Sequence, residues 1–285
     1  MHISTSVSSD HNGEFVDMKL CRYMKTHAYE TLRDAKFKIT PPSDFNDRLE
    51  CKAKVEGEPS VESLKKRYGP EDGFIENASR AGIPPERILA ALNSGRLKIP
   101  TPEDYAKTAQ GVVGDDEIAM KNLRILCLSD AGEHPETDRR MWRRYASFSG
   151  VRIGLDFTYA PKSDRFAFYP VRYQDEQASF DLSKDDCSGK TLDVVSMITT
   201  KLKQWEPERE YRLITRPEYC EHDGKFDFLS FNPDIVQSVD IGFKMRLRES
   251  KGLVKMIRGK YPNVKICRMS FDEMTQEIIY VPWPK

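Results

Sequence analysis

Two glutamates separated by a single residue are the first candidates for chemistry in this sequence. Glu208 and Glu210 belong to the stretch Trp205 to Arg212, which is predicted to open a strand. Side chains two residues apart on a strand point to the same face, so both carboxylates would line one wall. Like charges held side by side need a cationic or hydroxyl-bearing partner, and such a pair therefore indicates a site. The alternative is a ladder of charges along a solvated strand.

Length and charge define the class of protein. The chain has 285 residues, of which 39% are hydrophobic and 32% charged, with 45 basic and 45 acidic side chains. This balance is typical of a globular protein and provides no overall positive field for nucleic acid. No apolar run approaches the roughly 20 residues that span a bilayer, and the first residues lack a signal-peptide pattern. We therefore predict a cytoplasmic protein without a membrane partner and leave its oligomeric state open.

The cysteines and histidines do not support a metal site. The six cysteines are scattered without short pairing, and the five histidines occur singly. Such spacing builds neither a zinc knuckle nor a redox pair, so we predict buried free thiols and no metal. The sequence also contains no phosphate-binding glycine loop, serine hydrolase elbow or zinc protease motif. A glycosidase or nuclease that uses Glu208 and Glu210 is an open alternative, although a metal there would need further acidic ligands.

Hydrophobic periodicity predicts a mixed α+β fold with a helical insertion. Residues 1–15 are polar and Ser-rich and are predicted to form a disordered tail, followed by a single domain over residues 16–285. A helical pattern between about residues 60 and 122 interrupts the β-rich chain and predicts the insertion. The predicted strands are 18–24, 36–39, 123–129, 151–157, 170–173, 205–212, 236–243, 264–269 and 277–281, and the other predicted helices are 26–34, 136–147, 191–203 and 249–261.

Five sequence blocks, in this order over residues from about 20 to 280, resemble a bacterial family known as domain-of-unknown-function family 2971. The chain departs from the family pattern at Arg48, Arg144, Pro207 and Tyr211, where proline, histidine, an aromatic residue and tryptophan are usual. The blocks are Cys21-Arg22-Tyr23, Pro42 to Asp47, Cys127-Leu128-Ser129, Met141 to Ala146 with Gly150-Val151 and Gly154-Leu155-Asp156, and Trp205 to Arg212.

The order of these blocks is in turn similar to the ADP-ribosyltransferase fold, in which a split β-sheet core surrounds NAD. The resemblance implies that Arg22, Tyr145 and Glu210 occupy three positions around NAD, with Glu208 as the first member of a Glu-x-Glu pair. Two structural alternatives stay open. Arg22 would be the outward residue of an alternating strand, and Tyr145 would pack in the core together with Trp142.

The same resemblance implies that Phe45, Asn46 and Asp47 form a loop near the ligand. The alternative interpretation is a simple turn in which the Asn and Asp side chains bond to the backbone.

The chemistry of NAD cleavage suits these residue types. Breaking the bond between nicotinamide and ribose develops positive charge on the sugar, which a carboxylate such as that of Glu210 stabilises. The fixed fork of Arg22 suits a pyrophosphate, and Tyr145 offers an aromatic face to the departing nicotinamide. We therefore expect an ADP-ribosyltransferase that uses NAD as co-substrate and modifies a macromolecular acceptor, whether protein, DNA or RNA.

A role as a toxin or antiphage effector is implied by the resemblance alone. The alternative function is a non-catalytic nucleotide- or nucleic-acid-binding module on the same scaffold. Such a module would use an anion-binding patch made of Arg22, Arg139, Arg143 and Arg144.

Overall fold

The chain forms two compact units, each assembled from segments that are distant in sequence. The first unit comprises Met1–Ile39, Ile125–Pro170 and Pro207–Lys285, and the second comprises Thr40–Arg124 and Val171–Glu206. The computed structural model describes residues 18–25, 27–45, 47, 49–68, 75, 79, 83–110, 120–130, 134–159, 165–184, 194–272, 274–275 and 277–284. The predicted disordered tail, residues 1–15, lies outside the described residues.

Strands and helices both occur throughout the described chain. The strands are β1 Lys19–Met24, β2 Lys36–Ile39, β3 Lys54–Glu56, β4 Arg124–Ser129, β5 Val151–Asp156, β6 Phe166–Pro170, β7 Arg172–Gln174, β8 Ser179–Asp181, β9 Thr200–Leu202, β10 Glu210–Thr215, β11 Glu221–Asp223, β12 Phe226–Ser230, β13 Val236–Ile241, β14 Lys265–Phe271 and β15 Ile278–Pro282. The α-helices are α1 Ala28–Asp34, α2 Val61–Tyr68, α3 Pro85–Asn93, α4 Pro102–Gln110, α5 Pro135–Met141, α6 Val194–Ile198 and α7 Leu247–Lys260.

Shorter helical segments connect these elements. A π-helix spans Trp142–Ala146, and 3₁₀ turns span Pro42–Asp44, Phe157–Tyr159, Leu182–Lys184, Lys203–Glu208, Pro217–Tyr219 and Pro233–Ile235. None of the helices within the described ranges combines the length and the hydrophobicity that a membrane crossing requires.

A mixed eight-stranded sheet organises the first unit. Its strand order is β15-β14-β13-β5-β1-β4-β10-β6, with β13 and β14 parallel and β1 antiparallel to both β4 and β5. A three-stranded sheet, in the order β11-β12-β2, belongs to the same unit. The predicted α+β class is confirmed. The sheet brings β1, β4 and β10 side by side although about 190 residues of sequence separate the first from the last.

The core of the first unit follows from alternating apolar residues. On β5, Val151, Ile153 and Leu155 are at most 2% exposed, as expected for a strand with one face against the core. On α7, Leu253, Val254 and Ile257 recur at helical spacing and belong to the same buried cluster. Burying each such side chain contributes about 1.5–3 kcal/mol, so this core stabilises the sheet that carries β1, β4 and β10.

The described part of the second unit contains two small parallel sheets and three longer helices. β3 pairs with β8, and β7 pairs with β9. The predicted helical segment of about residues 60–122 contains α2, α3 and α4. At the start of α4, Thr101 accepts a hydrogen bond from the Asp104 amide, which is the capping contact that its position predicts. That this segment is an insertion into a single domain stays a prediction.

Two predicted elements around the second unit were wrong in part of their length. The helix predicted over residues 191–203 is described only from Val194 to Ile198, and β9 follows at Thr200. The hydroxyls of Thr199 and Thr200 donate to carbonyls of the preceding turn, at 2.6 and 2.7 Å, and β-branched residues favour the strand. The strand predicted over 170–173 is divided, because β6 ends at Pro170 and β7 joins another sheet.

The strand predicted over residues 205–212 was also wrong in its first half. Lys203–Glu208 is a 3₁₀ turn that contains Pro207, whose fixed φ and missing N–H disfavour a central strand. Arg209 has a φ of 45°, and the strand begins only at Glu210. Glu208 and Glu210 are therefore not consecutive members of one strand face, and their relation depends on the sharp backbone turn between them.

Candidate functional site

The two glutamates lie where β4 ends and β10 begins. The Ser129 hydroxyl donates to the Glu208 carbonyl at 2.6 Å, and the Asp130 amide donates to the Arg209 carbonyl at 2.9 Å. Arg209 also forms an ion pair with Asp130 at 3.1 Å. A non-glycine residue at positive φ is strained by on the order of 1 kcal/mol or more, and such strain concentrates at functional sites. These contacts from Ser129 at the end of β4 and from Asp130 after it hold the strained segment in place.

Glu208 is buried, and its carboxylate contacts residues that are exposed. Glu208 is 1% exposed, whereas Tyr145 is 37% exposed. The Tyr145 hydroxyl donates to Glu208 Oε1 at 2.9 Å, and the Nε atom of Arg144 lies 3.6 Å from the same oxygen. A buried carboxylate is costly unless it is paired and hydrogen-bonded. Tyr145 and Arg144 supply both kinds of partner.

Glu210 is held by a different set of groups. Arg212, with no exposed surface, donates from Nε to Glu210 Oε1 at 2.8 Å, and Glu210 itself is 6% exposed. The two residues are neighbours on one face of β10, as side chains two apart on a strand must be. The alternative of a solvated charge ladder is therefore wrong for Glu208, Glu210 and Arg212.

Cys127 links Arg22 to this carboxylate. The Nη1 atom of Arg22, on β1, donates to the Cys127 carbonyl on β4 at 2.5 Å. Burial, together with the charge and hydrogen bond of Glu210, raises the pKa of the Cys127 thiol well above its ordinary value, while the charges of Arg212 and Arg22 act in the opposite direction. The thiol therefore stays protonated. Cys127, Glu210 and Arg212 form one group across β4 and β10, which we call the carboxylate cluster, and Arg22 on β1 reaches its edge through the Cys127 backbone carbonyl.

Tyr145 reaches Glu208 because α5 continues into a π-helix. The π-helix spans Trp142–Ala146 and is followed by Ser147 and Phe148, both at positive φ, with values of 50° and 56°. Single π-helical turns occur frequently at functional sites. The wider turn separates Trp142, which is fully buried, from Tyr145, which is exposed. The interpretation of Tyr145 as a core residue beside Trp142 was therefore wrong, whereas Trp142 itself is a core residue.

A buried network anchors this helix to the sheet, and sequence reasoning missed it. Asp138 on α5 accepts hydrogen bonds from Tyr23, at 2.5 Å, and from Tyr280, and it pairs with Arg152 at 3.2 Å. Burial and the Asp138 charge raise the pKa of Tyr23 well above its ordinary value; for Tyr280 the same two causes outweigh the opposing charge of Arg152. Both phenols therefore remain donors. Asp138 lies four residues before Trp142, a helical spacing that would have indicated the same buried face.

The predicted loop residues Phe45 and Asp47 belong to the second unit, and Asn46 lies outside the described residues. The Asp47 carboxylate accepts from the Leu49 amide and from Trp205 Nε1, both at 3.0 Å. The first contact is the side-chain-to-backbone bond of a turn, which is the structural alternative for this segment. The role of these residues near a ligand stays a prediction.

Comparison of the chain with protein-family models, with curated proteins and with solved structures finds no match. Within the described ranges, no three His, Cys, Asp or Glu side chains come together as ligands of a metal ion. The resemblance to family 2971 and to the ADP-ribosyltransferase fold stays a prediction, and the geometry of the site is what any functional proposal has to use.

Proposed function

We propose that the protein is an ADP-ribosyltransferase that cleaves NAD and transfers ADP-ribose to a macromolecular acceptor. The observation that carries the proposal is the pair of buried carboxylates, Glu208 and Glu210, in contact with a phenol and with guanidinium groups. An ADP-ribosyltransferase-like core is supported by the adjacency of β1, β4 and β10, which lets Arg22 donate to the Cys127 backbone carbonyl beside the carboxylate cluster. Arg22 and Tyr145 are supplied by different elements of the same unit.

The reaction requires a negatively charged group beside the ribose in the transition state. The bond between the ribose C1′ and nicotinamide breaks, a bond from C1′ to the acceptor nucleophile forms, and the nucleophile loses its proton. Positive charge develops on the ribose before the new bond is complete, and a fixed carboxylate stabilises it. In the proposed reaction Glu210 takes this role, because Arg212 holds its carboxylate in one position.

The neighbouring groups divide the remaining tasks. Glu208, held from the exposed side by Tyr145 and Arg144, faces the acceptor. Arg22 is half-buried and carries a planar cation suited to a pyrophosphate. Tyr145 has its hydroxyl fixed by Glu208 and part of its ring exposed, which suits the departing nicotinamide.

The test is Glu210→Gln, which removes the charge and keeps the shape. We expect nicotinamide release from NAD, measured by chromatography, to fall on the order of 100-fold or more, since one preorganised charged contact to the transition state is lost. Glu249→Gln is the matched control, because Glu249 is exposed in the first turn of α7. Its rate should equal that of the parent.

Two outcomes would contradict the proposal. Near-normal turnover in the Glu210→Gln protein removes Glu210 from the mechanism. A parent protein that binds NAD in calorimetry but releases no nicotinamide, with or without protein and nucleic-acid acceptors, favours the non-catalytic binding module.

A further inference from the structure

Arg212 is a fully buried cation in the carboxylate cluster. Among the residues that the structure describes, it is one of the largest fully buried side chains, in a set that otherwise consists of Trp142 and aliphatic residues. Its Nε atom lies 2.8 Å from Glu210 Oε1. A guanidinium is always protonated, so burying it requires a partner charge at close range.

A buried ion pair of this kind contributes little net stability to the fold. The desolvation of both groups offsets most of their attraction, and well-packed apolar side chains of similar volume are often as stabilising. What the pair does fix is the direction of the Glu210 carboxylate. The guanidinium is rigid and holds fewer alternative geometries than an ammonium would.

Other groups around Glu210 also restrain its carboxylate. The Cys127 thiol on β4 stays protonated and contacts the carboxylate from the neighbouring strand. Glu210 is thus held from its own strand by Arg212 and from β4 by Cys127. Arg212 is fully buried and Cys127 is half-buried, and Arg22 donates to the Cys127 backbone carbonyl.

We infer that Arg212 is a positioning residue for Glu210: it does not touch substrate but holds the carboxylate in a fixed direction during cleavage of the bond between nicotinamide and ribose. This inference rests on the proposed function. It predicts that the loss of Arg212 affects the transition state more than the binding of NAD, because only the reacting ribose depends on the orientation of Glu210.

The test compares Arg212→Met and Arg212→Lys with the parent, using nicotinamide release for kcat and KM and thermal unfolding for the fold. Arg212→Met should lower kcat on the order of 100-fold with KM within about threefold of the parent. Arg212→Lys should recover part of kcat, since the charge is kept and the fork is lost. Arg268→Met is the matched control, because Arg268 is a half-buried arginine of β14 in the same sheet.

The outcomes separate this inference from the proposed function. If Glu210→Gln is inactive while Arg212→Met keeps the kcat of the parent, the arginine is a structural ion pair and the inference is wrong. If Arg212→Met fails to fold, the lysine variant decides, and a folded Arg212→Lys protein with unchanged kcat overturns the role. A parent protein that does not consume NAD overturns the proposed function and this inference together.

Discussion

At the residue scale, the two carboxylates differ in what holds them. Glu208 is bonded by Tyr145 and approached by Arg144, both of which are exposed. Glu210 is bonded by Arg212, which has no exposed surface. Groups at the surface are displaced by a macromolecule more readily than groups in the core. The difference supports a division in which Glu208 meets the acceptor and Glu210 meets the ribose.

Tyr145→Phe tests this division, because it removes the hydroxyl that bonds Glu208 and keeps the aromatic ring. We expect the affinity for NAD, measured by calorimetry, to stay within about twofold of the parent, since stacking is preserved. The ratio of transfer to hydrolysis should change, because Glu208 loses a donor that typically contributes about 0.5–1.5 kcal/mol.

Tyr145→Ala serves as the comparison, since it removes both the ring and the hydroxyl. If the phenylalanine variant loses as much affinity for NAD as the alanine variant, the hydroxyl rather than the ring binds the ligand, and the division proposed for Glu208 is wrong.

Spacing in the sequence identified Glu208 and Glu210 as a pair, and the structure shows both buried and partnered. The spacing did not identify Arg212 as the buried partner of Glu210. Charged residues at alternate positions of a strand give the same sequence pattern whether the face that carries them is exposed to water or buried in the protein. Only the neighbouring strand, here β4 with Cys127, decides between the two, and that neighbour is about 80 residues away in sequence.

At the element scale, several strands and the long helix of the first unit were predictable because their periodicities are strong, whereas β6, β11 and β12 were not predicted. β1, β4, β5, β13 and α7 all lie within a few residues of the predicted bounds. The π-helix was not predictable, since five residues at an irregular turn have no distinct hydrophobic period. The 3₁₀ turn before β10 was signalled by Pro207, whose effect on a strand is known in advance.

Tyr261 provides a test of how α7 is held against α1. It follows the last residue of α7, and its hydroxyl donates to the Leu32 carbonyl of α1 at 2.6 Å. Burial raises the pKa of Tyr261 to about 12, from an ordinary value of 10.0. The unfolded phenol therefore ionises first as the pH rises. Its stabilising contribution is fully present below about pH 10 and is lost as the pH rises through about 12.

Tyr261→Phe should lower the free energy of unfolding by about 1 kcal/mol at neutral pH, because a buried hydrogen bond is lost. The gap between the parent and the variant should then narrow above about pH 10, where the unfolded parent gains an ionised phenol that the variant lacks. Urea unfolding at a series of pH values measures this gap. The other tyrosines titrate equally in both proteins, so their effects cancel. A gap that does not change with pH would show that the pKa of Tyr261 is the same in the folded and the unfolded protein.

At the scale of the whole molecule, the division into two units was beyond sequence reasoning. The chain enters the second unit at Thr40, leaves it at Arg124 and returns to it from Val171 to Glu206. Hydrophobic patterns report local elements, and they contain no information on which distant segments share a core. The balanced charge, by contrast, is a property of the whole sequence, and its consequences can be stated in advance.

The balance of 45 basic and 45 acidic side chains predicts that the protein does not bind oligonucleotides at physiological salt. Of the four arginines between residues 139 and 144, only Arg143 and Arg144 are exposed, whereas Arg139 and Arg140 are half-buried. Arg144 already contacts Glu208. This leaves a small cationic surface, and a few phosphate contacts give weak binding that salt suppresses.

Fluorescence anisotropy with labelled single- and double-stranded oligonucleotides tests this expectation. Arg143→Glu is the informative variant, because Arg143 is exposed and is not part of the carboxylate cluster. We expect no binding by the parent in about 0.15 M salt and no difference in the variant. The acceptor would then be a protein or a small molecule. If the parent binds, with an affinity that falls steeply with salt and is lost in Arg143→Glu, the π-helix contacts phosphates and nucleic acid becomes the acceptor to test for transfer of ADP-ribose.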